Sequence, residues 1–117
     1  MHAILVVEGD EAHALLLKKI LENKGEVHIA LKGQDALRLA AETRLDLLIT
    51  GLKLPDTDGW SLIEEIRKTS EIPILVITAY IDVPSKNRAY AAGCTQYLIK
   101  PYQIAELREI VGRFLAK

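Results

Sequence analysis

The residues able to do chemistry lie at the ends of short apolar runs along the chain. The acids Glu8 and Asp10 follow the first run, Thr78 ends a later run, and Lys100 follows the last. Carboxylates at such positions can bind a hard cation such as Mg²⁺, and a lysine can hold an anion. The central run ends instead at Gly51, which has no side chain. Because no nucleophile, base and orienting group converge in this pattern, we predict that the protein is not an enzyme.

The elements that must position these residues alternate between two kinds of segment. Apolar runs rich in Val, Ile and Leu predict strands covered on both faces, and apolar residues repeated every three or four positions predict amphipathic helices. This alternation indicates a doubly wound α/β fold of a single domain, residues 1–117, with five parallel strands and five helices. The strands are predicted at 3–7, 26–30, 47–50, 72–78 and 95–99, and the helices at 11–24, 34–43, 59–68, 85–92 and after Pro101.

The pattern also predicts caps and buried stripes for individual helices. Asp10 is expected to cap the first helix and Gly25 to stop it, while the fourth helix is alanine-rich and is expected to pack weakly. The buried stripes are expected to be Leu16, Leu17, Ile20 and Leu21, with Leu15 beside them, in the first helix; Ala36, Leu37, Leu39 and Ala40 in the second; Leu62, Ile63 and Ile66 in the third; and Ile104, Leu107, Ile110, Val111, Phe114 and Leu115 in the last.

The composition is that of an ordinary globular protein. The formal net charge of the 117 residues is -1, and basic residues are interspersed with acids, so no nucleic-acid partner is predicted. No apolar run approaches the roughly 20 residues that span a bilayer, and no signal-peptide pattern is present, so we expect a cytoplasmic protein without a membrane partner. Cys94 is the only cysteine, which excludes an intramolecular disulfide, and it is expected to be a small buried residue.

The segment 45–60, LDLLITGLKLPDTDGW, resembles the central motif of the response-regulator receiver domain of bacterial two-component signalling. ILVVEGDE near the start and YLIKPYQIAEL near the end resemble the same family, so the resemblance covers essentially the whole chain without gaps. It implies a flavodoxin-like sheet of strand order 2-1-3-4-5. It also implies that the functional site lies at the carboxyl ends of strands 1, 3, 4 and 5, where ligands gather in open α/β sheets.

The family's functional positions carry over unevenly. By resemblance, Thr78 matches the hydroxyl that follows the phosphoryl group, Tyr97 the aromatic switch position, and Lys100 the lysine that bonds a phosphoryl oxygen. The resemblance also implies a cis peptide between Lys100 and Pro101, directing the lysine into the pocket. Gly51 stands where the family has its phosphoaccepting aspartate, so the usual acceptor is missing.

The acids that bind magnesium in the family are also incomplete. Glu8 matches the first acid, Gly9 replaces the direct metal ligand, and Asp10 comes one residue late. Lys53 occupies the position whose backbone carbonyl would complete the metal shell. A single carboxylate facing Lys100 attracts a dication poorly, and Mg²⁺ dehydrates reluctantly. We therefore expect no metal site, no cofactor and weak or absent Mg²⁺ binding.

Other polar residues have plainer roles in this reading. Asp56 and Asp58 are expected to be turn residues, and Asp46 precedes its strand and so lies at the wrong edge. The histidines, His13 among them, are too widely spaced to suggest a metal site. Trp60 begins the third helix and is expected to pack rather than bind a ligand.

These features predict a degenerate receiver, or pseudo-receiver, that signals through contact with a protein partner. The resemblance places such contacts, and a possible homodimer, on the face formed by the fourth helix, fifth strand and fifth helix, where Tyr90, Tyr97 and Tyr102 are expected to cluster as interface anchors. Two alternatives stay open. The vacated pocket near Lys100 could sense a small anion or another small ligand, or a non-standard acid could accept a phosphoryl group.

Overall fold

The computed structural model describes residues 1–116 and contains the predicted alternation of strands and helices. The five strands are β1 (Ala3–Val7), β2 (Glu26–Ala30), β3 (Leu47–Thr50), β4 (Ile74–Thr78) and β5 (Gln96–Ile99). The five helices are α1 (Glu11–Leu21), α2 (Gly33–Glu42), α3 (Gly59–Arg67), α4 (Val83–Ala92) and α5 (Ile104–Leu115).

The strands form one parallel sheet in the order β2-β1-β3-β4-β5, which confirms the predicted topology. Val7 at the end of β1 pairs with Thr50 at the end of β3, and Thr78 at the end of β4 pairs with Ile99 at the end of β5. The strand ends therefore lie side by side, and the residue that follows each of them faces the same edge of the sheet.

Successive side chains of each strand point to opposite faces of the sheet, so the interior is divided into two cores. Leu5 and Val7 of β1 point into a first core, which is closed by α2, α3 and α4. Ile4 and Val6 point into a second core, which is closed by α1 and α5. Every residue of β3 and β4 is buried, as expected for central strands covered by helices on both faces.

Helix α1 differs from its prediction in which leucine is buried and where the helix ends. Asp10 caps the helix as predicted, but Leu16 is 49% exposed and Ala14 takes its place in the buried stripe. Because successive helical residues point about 100° apart, Leu16 turns away from the core once Leu17 points into it. The helix ends at Leu21, three residues earlier than expected.

The predicted role of Gly25 as the glycine that stops α1 was wrong. Of the glycines in residues 1–116, only Gly93 has a positive φ, so Gly25 is not a left-handed helix cap. A Cβ added at Gly25 would lie 2.5 Å from the carbonyl oxygen of His2. Close approach of the two segments, rather than a turn, therefore explains this glycine.

Two other residues expected in buried stripes are exposed. Helix α2 packs Ala36, Leu39 and Ala40 against the first core, so Leu37 turns outward and is 38% exposed. Ile104, the first residue of α5, is 45% exposed, whereas Leu107 and Ile110 are buried as predicted. The three buried positions predicted for α3 are confirmed.

Helix α4 contributes little apolar packing, as predicted. Ala89 is its one buried residue, and the helix begins two residues earlier than expected, after Asp82, whose carboxylate accepts a hydrogen bond from the Ser85 amide. Gly93 ends it with a φ of 119°. Cys94 follows and is buried, which raises the pKa of its thiol to about 11.

No helix within residues 1–116 combines the length and the apolar character needed to cross a membrane.

The corrected stripe of α1 predicts different costs for two Leu→Ala substitutions. Leu17→Ala should lower the free energy of unfolding by about 3 kcal/mol, because it leaves a cavity at a buried position of α1. Leu16→Ala is the matched control and should cost about 0.5 kcal/mol or less. Urea unfolding measures both changes, and similar losses for the two variants would contradict the packing described for α1.

Candidate functional site

The ends of four strands enclose a cleft of about 490 Å³ at one edge of the sheet. The cleft brings together most of the residues that the sequence singled out, while its remaining walls are mostly apolar. Its polar or backbone-lined positions are Glu8, Gly9, Asp10, Gly51, Lys53, Thr78 and Lys100, and its other walls are Leu52, Leu54, Pro55, Ile77, Ala79 and Tyr80.

Glu8 is the central charged group of the cleft. It follows β1 and is 8% exposed. A Cβ placed on Gly51 would lie 2.8 Å from Glu8 Oε2, so the Glu8 carboxylate occupies the space beside Gly51. Its other oxygen, Oε1, lies 3.8 Å from Lys100 Nζ. The Glu8 carboxylate therefore lies between Gly51, which follows β3, and the lysine that follows β5.

His13 also faces Glu8, and the sequence reading did not assign it to the site. Its Nδ1 is buried, makes no hydrogen bond, and lies 3.6 Å from Glu8 Oε2, while its Nε2 lies 2.9 Å from the Tyr102 hydroxyl. Burial, together with the nearby charge of Glu8, raises the pKa of Tyr102. The available signal was the position of His13 in the first turn of a helix that starts directly after the acidic loop.

Asp10 and Gly9 do not add to the charge facing the cleft. The Asp10 carboxylate accepts hydrogen bonds from the backbone amides of Ala12 and His13, so it is committed to the start of α1. A Cβ on Gly9 would only touch the Lys53 carbonyl oxygen and Pro55 Cδ at 3.4 Å. The space and the backbone at position 9 therefore accept a side chain.

Thr78 and Tyr97 are linked through the backbone of Tyr80. The Tyr80 amide donates to Thr78 Oγ1 at 3.1 Å, and the Tyr97 hydroxyl donates to the Tyr80 carbonyl at 2.8 Å. Tyr97 lies in the first core rather than in the cleft, and its burial raises its pKa. The Lys100–Pro101 peptide is cis, as the resemblance implied.

The other acids near the cleft hold the backbone together. Asp58 caps α3 by accepting from the Ser61 amide at 2.7 Å. Asp56 reaches across to α2 and accepts from the amides of Gly33 and Gln34 at 2.8 and 2.9 Å, which lowers its pKa below 3.8. Asp46 accepts from the Ala3 amide at the opposite edge of the sheet. Within residues 1–116, no group of three or more His, Cys, Asp or Glu side chains is arranged to hold a metal ion.

The expected clustering of three tyrosines was wrong for Tyr102. Tyr97 packs in the first core, whereas Tyr102 packs against the second core on the other face of the sheet. Tyr90 is partly exposed on α4, and its hydroxyl lies beside the backbone of Tyr97, so these two tyrosines do lie together. Side chains alternate between the faces of a strand and its continuation, which separates residues that are close in sequence.

The structure is a doubly wound α/β domain with a cleft at the carboxyl ends of β1, β3, β4 and β5. The model of the response regulator receiver domain matches residues 4–112 of the chain, which therefore belongs to this family. Receiver domains are signalling modules of two-component systems, and they interact with protein partners such as kinases and output domains.

Relatives of known sequence share about a third of the residues. The transcriptional regulatory protein ZraR of Salmonella typhimurium is 36% identical over 115 residues, covering 97% of this chain and 26% of that protein. The KDP operon transcriptional regulatory protein KdpE of Escherichia coli is 38% identical over 109 residues, covering 92% of this chain and 48% of that protein. The chain thus spans half or less of the length of these two relatives.

Solved structures match over almost the full chain. A two-component response regulator from Clostridium difficile superposes with a TM-score of 0.95 at 30% identity, covering 100% of this chain and 98% of the other. A BeF3-activated receiver domain of DrrB gives a TM-score of 0.94 at 28% identity, covering 100% and 99%. The family assignment thus agrees with the backbone as well as with the sequence.

The position of Glu8 predicts different responses to alanine at the two pocket glycines. Gly51→Ala should displace the Glu8 carboxylate, because the new Cβ would lie 2.8 Å from Oε2. The amide resonances of Lys100 and Asp10 should then shift in NMR spectra. Gly9→Ala is the matched control and should leave the Lys100 resonance in place. Equal shifts of the Lys100 resonance in the two variants would contradict the position assigned to Glu8.

The lowered pKa of Asp56 predicts a pH-dependent contribution to stability. Because its folded pKa lies below the ordinary value of 3.8, Asp56 stabilises the fold above that value and loses this effect as pH falls through the folded pKa. Asp56→Asn should therefore melt below wild type at neutral pH, and this difference in melting temperature should shrink as pH falls below 3.8. A constant difference in melting temperature from neutral to acid pH would exclude this role.

Proposed function

We propose that this receiver domain signals through protein contact, as a pseudo-receiver that does not undergo conventional aspartate phosphorylation. The observation that carries the proposal is at the end of β3. Gly51 has no side chain to accept a phosphoryl group, and the space beside it holds the carboxylate of Glu8. The end of β3 therefore provides no carboxylate that could attack a phosphodonor and form an acyl phosphate.

The charges of the pocket support the same conclusion for magnesium. Mg²⁺ requires near-ideal octahedral oxygen ligands and is reluctant to lose its water. Glu8 faces Lys100 and His13, and the Asp10 carboxylate is used by α1, so no surplus of negative charge faces the cleft. The residues present do not fit a magnesium ion, and we propose that the domain has no useful affinity for it. We also propose that the domain is not itself an enzyme.

The surface proposed for partner contact is the face of α4, β5 and α5. Apolar side chains are exposed on α4 and on the connection that precedes it, with Ile81 74% and Val83 66% exposed, and Tyr90 is exposed further along α4. Large apolar and aromatic side chains are typical anchors of protein interfaces. We propose a signalling protein or an output domain as the partner, with a homodimer as a further use of this face.

The alternative of small-anion sensing has weaker support. A cleft of about 490 Å³ is large enough for a small ligand, and Lys100 lies in its wall. However, an anion beside Gly51 would meet the Glu8 carboxylate before it reached the lysine. If anions do bind there, millimolar sulfate or phosphate should raise the melting temperature.

Phosphorylation of a non-standard acid has less support still. Asp56, Asp58 and Asp10 each accept backbone hydrogen bonds at a helix start, and none of the three lies beside Lys100 in the way that Glu8 does. Modifying any of them would remove a helix cap.

Exposure to acetyl phosphate with Mg²⁺ tests the proposal. Intact mass should show no phosphoryl group on the wild type, whereas a Gly9→Asp/Gly51→Asp variant should gain one, because it restores both missing carboxylates. The restored variant should also show shifted Thr78 and Tyr97 resonances after the reaction.

The two proteins serve as each other's control. Silence of the wild type together with a response of the double variant would support a fold that is competent but lacks its acceptor. A phosphoryl mass on the wild type would overturn the proposal, and fragmentation of the modified protein would identify the acceptor.

A further inference from the structure

Helix α4 lies on the proposed contact face, yet it has little apolar burial to hold it. Ala89 is its one buried residue, while Val83 and Tyr90 are exposed. Helices in proteins depend mainly on packing of an apolar face, and isolated helices of this length are marginal in water. A helix of ten residues with this composition therefore needs other contacts to keep a fixed position.

Trp60 supplies such contacts from the start of α3. Its indole Nε1 donates to the Ser85 carbonyl of α4 at 3.1 Å. The guanidinium carbon of Arg88, also on α4, lies 4.4 Å from the centroid of the Trp60 ring, within the range of a cation–π interaction. One side chain of α3 thus makes a hydrogen bond and a cation–π contact to the same helix.

The other contact of Trp60 leads toward the pocket. Its ring stacks with the ring of Tyr80 at a centroid distance of 6.2 Å and an interplanar angle of 27°. The backbone of Tyr80 is itself fixed by Thr78 on one side and Tyr97 on the other. The contacts therefore run without a break from Thr78 at the cleft, through Tyr80 and Trp60, to α4.

We infer that Trp60 is a positioning residue that holds α4 and the β4–α4 connection in a single arrangement without any phosphoryl group. The indole acts as a latch between α3 and α4, and the Tyr80 backbone joins this latch to the strand ends. The contact face would then be formed permanently. This consequence for signalling rests on the proposed function, whereas the latch itself does not.

Hydrogen–deuterium exchange of the full chain tests the latch. Trp60→Leu removes the indole hydrogen bond and the cation–π contact together, so amides 85–92 should exchange about tenfold faster through local opening. Amides of α1 and α5 should change by less than about twofold, because the second core is not touched. Unchanged exchange in α4, or equal acceleration in all five helices, would overturn the inference.

Two milder variants keep the test decisive if Trp60→Leu folds poorly. Trp60→Phe retains an aromatic ring but loses the N–H donor, and Arg88→Met removes the cation, so each should accelerate exchange in α4 by about threefold. Arg38→Met on the exposed face of α2 is the matched control and should have no effect there. Equal exchange in the Arg88→Met and Arg38→Met proteins would contradict the role of Arg88.

The same samples separate this inference from the proposed function. Treatment of the wild type with acetyl phosphate and Mg²⁺, followed by intact mass, reports on the acceptor and not on the latch. A phosphoryl mass with accelerated α4 exchange in Trp60→Leu would overturn the proposed function and leave the latch standing. If the wild type gains no phosphoryl mass and α4 exchange is unchanged in Trp60→Leu, the latch is overturned and the proposed function stands.

Discussion

Parallel pairing of β1, β3, β4 and β5 forces four strand ends onto one edge of the sheet, and the whole site depends on this constraint. Because Val7 pairs with Thr50, the residues after both strands become neighbours, although more than forty positions separate them in sequence. Glu8 can therefore reach the space beside Gly51. The same register sets Lys100 across from them at the end of β5, where it follows the pairing of Thr78 with Ile99.

Charge balance within this edge explains how an altered receiver pocket can remain stable. A buried carboxylate is unfavourable unless it is paired. Glu8 faces Lys100 with one oxygen, so its charge is balanced within the pocket, and its other oxygen lies 3.6 Å from His13 Nδ1. Neither glycine of the pocket has a positive φ, so the backbone does not demand glycine at position 9 or 51. In our account, the lost carboxylates remove phosphoryl chemistry while the fold around them is preserved.

The sequence was sufficient to predict the strands and helices, but it did not predict which side chains from different elements contact one another. Hydrophobic periodicity was sufficient for the strands and helices, because it depends on residues near in sequence. The strand order joins residues far apart in sequence, and it was predicted only through the family resemblance. The exposure of Leu16 and Leu37 was missed, since short apolar clusters do not reveal which of two adjacent leucines faces the core. His13 beside Glu8, Asp56 on α2 and Trp60 against α4 were missed because each pairing joins different elements, and side-chain direction decides it.

Titration with beryllofluoride and Mg²⁺, followed by the fluorescence of Trp60, tests the central claim most directly, because Trp60 is the only tryptophan of the chain and touches α4. Our account predicts no saturable change in the wild type and a saturable change in the Gly9→Asp/Gly51→Asp variant, whose carboxylates can hold both the metal and the phosphoryl mimic. A saturable change in the wild type would contradict it, since the pocket would then bind the phosphoryl mimic without an aspartate at position 51.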